Sequence, residues 1–327
     1  MAYAQGDLIT DATYNTLLTS TSSPHGINHI AGTGSGEYGL GETSLSTVSD
    51  GTTVKAASWN ALFTLMDNVA NHTNDSISST AQRAAGDQVA FLSALQTDLT
   101  SLAAEVAGGS TSATALTTSS ALQTASASGA YTGSHIVEQS VTFASADRMR
   151  HFFNGGGKVR VAVDRTGNGG TGGGATAKDT SYDAMFTALG NLDIGGQVST
   201  RSGSGETLTT DGFANGVDDL GTSYTTIFKL TQASGTYTTM FIQGEAKVDN
   251  ATYGSATVVT VRMTINDVDS GDATFQSSNL SSVDVNANFI GTTDFALHTV
   301  NPTTAQGLDP VYGIASSAEV SNNDTNG

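Results

Sequence analysis

The chain contains no cysteine, which rules out disulfides, thiol nucleophiles and thiolate metal sites. Of its 327 residues only 3 are proline, and Trp59 is the single tryptophan. Charged residues make up 13%, with 12 basic against 30 acidic. The formal charge of −18 argues against a nucleic-acid partner, because phosphate binding needs a clustered basic surface. It also argues against an anionic membrane, and it leaves room for divalent cations. No run reaches the apolar length of a membrane span, so no membrane insertion is expected. The opening Met1-Ala2-Tyr3-Ala4-Gln5-Gly6 lacks the basic and apolar regions of a secretion signal.

What is present is glycine, at 38 residues, with abundant serine and threonine and clearly patterned apolar positions. That mixture is too apolar for a disordered chain and suits a β-rich protein with many tight turns. The length allows a sizeable core and two or more domains.

The first seventy residues read as one small module written twice. The first pass is Gly6-Asp7-Leu8-Ile9-Thr10-Asp11-Ala12-Thr13-Tyr14-Asn15-Thr16-Leu17-Leu18, and the second is Asp50-Gly51-Thr52-Thr53-Val54-Lys55-Ala56-Ala57-Ser58-Trp59-Asn60-Ala61-Leu62-Phe63. Each is a polar entry, an aromatic followed by Asn, then apolar residues a helical turn on. Between them lies a glycine joint, Gly32-Thr33-Gly34-Ser35-Gly36-Glu37-Tyr38-Gly39-Leu40-Gly41. Helices are expected near 10–20, capped by Thr10 or Asp11, and over 56–70, capped by Thr53 or Ser58. The doubled unit with its joint resembles virion structural proteins of tailed bacteriophages, of the marine T4-like and cyanophage type. There such modules recur in tail-fibre, neck and baseplate components. The resemblance covers residues 1–75, with a weaker echo at Arg150-His151-Phe152-Phe153-Asn154-Gly155-Gly156-Gly157. It implies a particle component attached through this region, with Tyr14, Trp59 and Phe63 as attachment or packing residues.

Residues 78–107 carry the clearest helical signal. Leu92, Leu95, Leu99, Leu102 and Val106 recur at the 3-4 spacing of a coiled-coil seam. This seam either joins copies of the chain or packs one amphipathic helix inside a monomer. The first is the working expectation, and by resemblance to fibres the assembly would be a homotrimer. Gly108-Gly109 stops the helix, and the Ser/Thr/Ala/Gly-rich stretch 108–130 reads as a linker or stalk. Beyond it the period becomes alternating. Strands are expected at 136–145, 158–164, 192–200, 223–233, 236–248, 256–266 and near 283–300, with one helix at 180–189. Residues 315–327 read as a polar tail. The expected division is therefore a duplicated module at 1–75, a coiled-coil-like helix at 76–107, a linker at 108–130, a domain at 131–312 and a tail at 313–327. The fold class is α+β: a helical N-terminal attachment region with a short coiled coil, then a mainly antiparallel β-sandwich or jelly-roll-like domain.

Candidate chemistry is sparse. Gly167-Asn168-Gly169-Gly170-Thr171-Gly172 matches a dinucleotide motif by letter, but no helix starts at its glycines, and a loop tip is the better reading. Asp267, Asp269 and Asp272 place carboxylates within one turn and are candidate calcium ligands, although Asp and Asn equally favour an ordinary hairpin turn. Asp218-Asp219 is a weaker case of the same kind. His25 and His29 lack a third zinc ligand nearby. Phe152 and Phe153, before three glycines, are expected to plug the β-core. No nucleophilic triad has a recognisable setting, no catalytic residue is assigned, and the chain is expected not to be an enzyme.

The function expected is thus a virion structural protein, located in a phage tail or neck. It is a trimeric tail fibre or a baseplate or neck appendage, with other virion proteins and a host surface receptor as partners. The alternative is a head or tail-tube decoration protein with no host contact. A glycan-cleaving tailspike is a remote third.

Overall fold

A computed structural model describes residues 10–32, 42–73, 75–78, 81–85, 92–107, 116–131, 133–166, 177–232, 239–252, 254–267, 289–302 and 314–324. The apolar residues gather into two separate cores, one helical and one between β-sheets.

The helical core is built from α1 (Asp11–Thr19), α2 (Ile27–Ala31), α3 (Ala56–Thr73) and α4 (Leu92–Ala107). Thr10 caps α1, its hydroxyl accepting from the Thr13 N–H at 3.2 Å, with Asp11 placed favourably in the first turn. Tyr14, Leu17 and Leu18 then fall on one buried face. Gly26 opens α2 where a Cβ would lie 2.5 Å from the Leu18 carbonyl carbon, so only glycine lets α2 start this close to the end of α1.

The seam residues of α4 are all buried in this same core, Leu95 and Leu102 completely. They pack on α2 and α3 of their own chain. A coiled coil is not what the chain shows: an apolar stripe has one face to bury, and here the chain's own helices cover it. Nor does the helix fill 76–107. Residues 75–77 and 81–84 are not helical, and α4 begins at Leu92.

The second core lies between two antiparallel sheets. One contains β1 (Leu116–Thr118), β2 (Gln123–Tyr131), β11 (Phe289–Pro302), β4 (Lys158–Thr166), β5 (Asn191–Ile194) and β6 (Ser199–Arg201). In it β1 and β2 follow one another along the same edge of β11. The other runs β12 (Ile314–Asp324), β3 (Gly133–Phe143), β10 (Val258–Asp267), β9 (Phe241–Val248), β8 (Thr225–Thr231) and β7 (Thr207–Asp211). Alternation does the sorting. On β3, Val137, Val141 and Phe143 point inward, while Glu138 points out to Arg262 of β10. The α+β class with a β-sandwich-like domain is therefore what the chain adopts.

Two helices close the sandwich at opposite ends of β10. Helix α5 (Ala146–Asn154), capped by the Ser145 hydroxyl, inserts Met149, Phe152 and Phe153 beside Phe143. Helix α6 (Ala177–Leu189) lies at the other end, where the Tyr182 hydroxyl donates to the Asn266 carbonyl at 3.1 Å. Arg165, buried there, is held by Asp183 at 2.6 Å. Gly244 on β9 faces the Phe228 ring, where a Cβ would come within 2.3 Å.

Two boundaries differ from the sequence reading. The expected linker 108–130 contains β1 and β2, so the β-domain starts by Leu116 rather than at 131. The expected tail contains β12, which pairs with β3 along its length. Both segments are low in large apolar residues, and their strands pair along sheet edges.

Candidate functional site

The two aromatic–Asn pairs do the same structural job. The Asn15 amide donates to the Val48 carbonyl and accepts from the Val48 N–H, both at 2.9 Å. The Asn60 amide does the same to Arg83, donating at 3.0 Å and accepting at 2.7 Å. Each asparagine thus clips an irregular segment to a helix by mimicking one rung of a β-ladder. Only an amide can do this, since it offers one donor and one acceptor side by side. A third clip, Asn28 to Leu45, has both bonds at 2.8 Å. Nearby, the Asn68 amide donates to Glu42 at 2.8 Å. Segment 42–48 is therefore laced across α1, α2 and α3. The segment before α4 is held likewise: Asp98 accepts from the Ser78 N–H at 3.1 Å, and the Ser101 hydroxyl donates to Asp75 at 2.8 Å.

The aromatic partners sit behind the clips. Tyr14, Trp59 and Phe63 are all buried. Tyr14 and Trp59 meet edge to face at 5.2 Å, and Trp59 and Phe63 lie 6.2 Å apart. The Tyr14 hydroxyl donates to the Ser58 carbonyl at 3.0 Å, joining the first unit to the second, and burial pushes its pKa up. Of the two roles considered for these rings, packing is what their burial supports.

The remaining candidates fall partly outside the described residues. Asp267 ends β10, while Asp269 and Asp272 lie outside the described residues, as does the glycine run 167–172. Among the described residues no group of three or more His, Asp or Glu is placed to hold a metal. His25 and His29 stack with centroids 4.3 Å apart. No described helix is long and apolar enough to cross a membrane.

The outer face of the second sheet carries a charged ladder. Arg262 bonds Glu138 at 2.6 Å and reaches Glu245 at 3.7 Å, and its guanidinium lies 3.6 Å from the Tyr224 ring centroid. Burial raises the Glu138 pKa, but hydrogen bonds from Arg262 and Tyr224 outweigh it and hold the carboxyl below its usual range. Across the first sheet, Arg160 grips Asp193 through both oxygens, at 2.6 and 2.8 Å.

These features define a two-part molecule: a helical unit laced by asparagine clips, and an antiparallel sandwich closed by helices. No family model matches the chain, and neither curated proteins nor solved structures give a match.

Proposed function

We propose that this chain is a structural component of a tailed-phage particle, a baseplate or neck appendage or a tail fibre, seated through its helical unit with the sandwich presented outward. The observation that carries the reading is the doubled aromatic–Asn unit. Its sequence resembles tailed-phage virion modules, and its two copies fulfil one role, each clipping a chain segment over a buried aromatic. A unit reused in this way suits a common socket, while a separate sandwich is free to meet a host surface.

Two structural facts bear on the choice within the class. The leucine seam is spent inside one chain, and part of the stretch expected to form a stalk is sheet. Both favour a compact appendage over an elongated fibre. A homotrimer, if formed, would use surfaces other than that seam. The same compactness favours the second reading, a head or tube decoration protein, over the tailspike. The role proposed is structural, without catalysis. Imaging labelled protein on its particle separates the readings. Label confined to the tail or neck is expected, and label spread in many copies over the head or tube would replace the appendage with the decoration protein.

A further inference from the structure

A cleft of about 650 Å³, open mouth included, lies at the α5 end of the sandwich. Met149 and Phe153 of α5 form one wall. Val217 and Leu220, on and after a 3₁₀ turn at Val217–Asp219, form another, and Val248 and Ala256 from the ends of β9 and the following connection form the third. The walls are apolar, so an occupant gains by burying hydrocarbon.

Its charges are unequal. Arg150 lines the cleft but is engaged by Asp147 and by the Gly254 carbonyl. Asp218 stands at the mouth, its backbone fixed by a 2.9 Å bond from its N–H to the Gly196 carbonyl. Beside it, Asp219 accepts from the Gly216 N–H at 3.4 Å. Asp249, in the β9–β10 connection, is occupied by the Thr257 hydroxyl and by the N–H groups of Thr257 and Val258. Lys158 lines an adjoining cleft that Asp218 also borders. With Arg150 matched by Asp147, Asp218 is the carboxylate that lines the cleft, with Asp219 beside it and Lys158 lining the adjoining cleft, in a chain already at −18.

We propose that this cleft binds a small amphipathic cation, a primary alkylammonium whose chain lies against the apolar walls and whose ammonium group meets Asp218. Charge complementarity sets the orientation, and a carboxylate or a neutral alcohol of the same length loses it. Desolvation by the protein atoms crowded around Asp218, although the residue itself is solvent-exposed, and then the neighbouring Asp219 raise its pKa to about 6, so the ionised partner is lost in mild acid.

The test is calorimetric titration of the full chain with hexylammonium, hexanol and hexanoate. Hexylammonium should bind best, by roughly tenfold over hexanol, with hexanoate weakest. Its affinity should fall roughly tenfold from pH 8 to pH 5, while that of hexanol stays constant. Asp218→Asn, at an exposed position, should bring hexylammonium down to the hexanol level and remove the pH dependence. Ala251→Trp, at an exposed position lining the cleft, should abolish binding of both. Binding of hexanoate equal to hexylammonium, no binding by any probe, or an Asp218→Asn protein that binds hexylammonium unchanged would each overturn the proposal.

Discussion

At the scale of single residues, the asparagine clips are the most specific feature of the helical unit. Removing the Asn60 amide leaves the Arg83 N–H and carbonyl without their rung. Asn60→Ala should therefore cost about 1–3 kcal/mol of stability. Asn60→Asp should recover only part of it, because a carboxylate accepts from the N–H but cannot donate to the carbonyl. Thermal unfolding followed by Trp59 fluorescence reads both, and an Asp variant as stable as the parent would remove the ladder-mimic explanation. Glu138 makes the matching case on the sandwich. Its folded pKa is lowered, so its contribution is present above the usual carboxylate value and is lost as pH falls through the folded value. Glu138→Gln should destabilise by about 1 kcal/mol at neutral pH, the side chain being partly exposed, and the gap to the parent should shrink below pH 4. Urea melts across that range check the sign; a gap that widened in acid would refute it.

At the scale of elements, α4 decides between two uses of one stripe. Leu99 is 1% exposed within the chain's own core. Leu99→Ala should cost about 2–5 kcal/mol in the helical unit. The mass by light scattering should be that of the parent wherever the variant stays folded. A change of oligomeric state with stability unchanged would restore the intermolecular seam. The sandwich offers a second test at its edge. A chain starting near residue 112 keeps β1 and β2 on β11, whereas one starting at 132 strips that edge and takes away the carbonyls of Leu122, just before β2, and Ser126 in β2 that Ser317 and Asn322 of β12 bond at 2.9 and 3.2 Å. The longer form should fold cooperatively and the shorter should aggregate or melt earlier. Equal melting of the two forms would return 116–131 to the status of a linker.

The same elements show what the sequence discloses and what it hides. Helices α1, α3 and α6 and strands β3, β4, β9 and β10 are legible, because each buries one face and the apolar period reports it. The burial of Tyr14, Trp59, Phe63, Phe152 and Phe153 is legible for the same reason. Strands β1, β2 and β12 are not. They are written in Ser, Ala, Thr and Gly, and what holds them is backbone pairing with partners more than a hundred residues away, β1 and β2 on β11 and β12 on β3. The direction in which the leucine stripe of α4 faces is equally hidden, since its spacing is the same whether it meets another chain or α2 and α3. The doubled aromatic–Asn pattern is visible, but the third clip at Asn28 is not, because it lies in a five-residue helix with no aromatic before it.

At the scale of the molecule, the proposed function is a division of labour in which the laced helical unit would seat the protein on a particle and the sandwich would face outward. Two separate cores make that division physically available, since each unit has its own apolar interior. The most direct measurement is incorporation into assembling tailed-phage particles, the setting the proposed function implies. Residues 1–110 fused to a reporter should enter those particles, and residues 112–327 alone should remain in solution. A sandwich that enters particles while the helical fusion stays soluble would contradict the assignment and reverse the orientation.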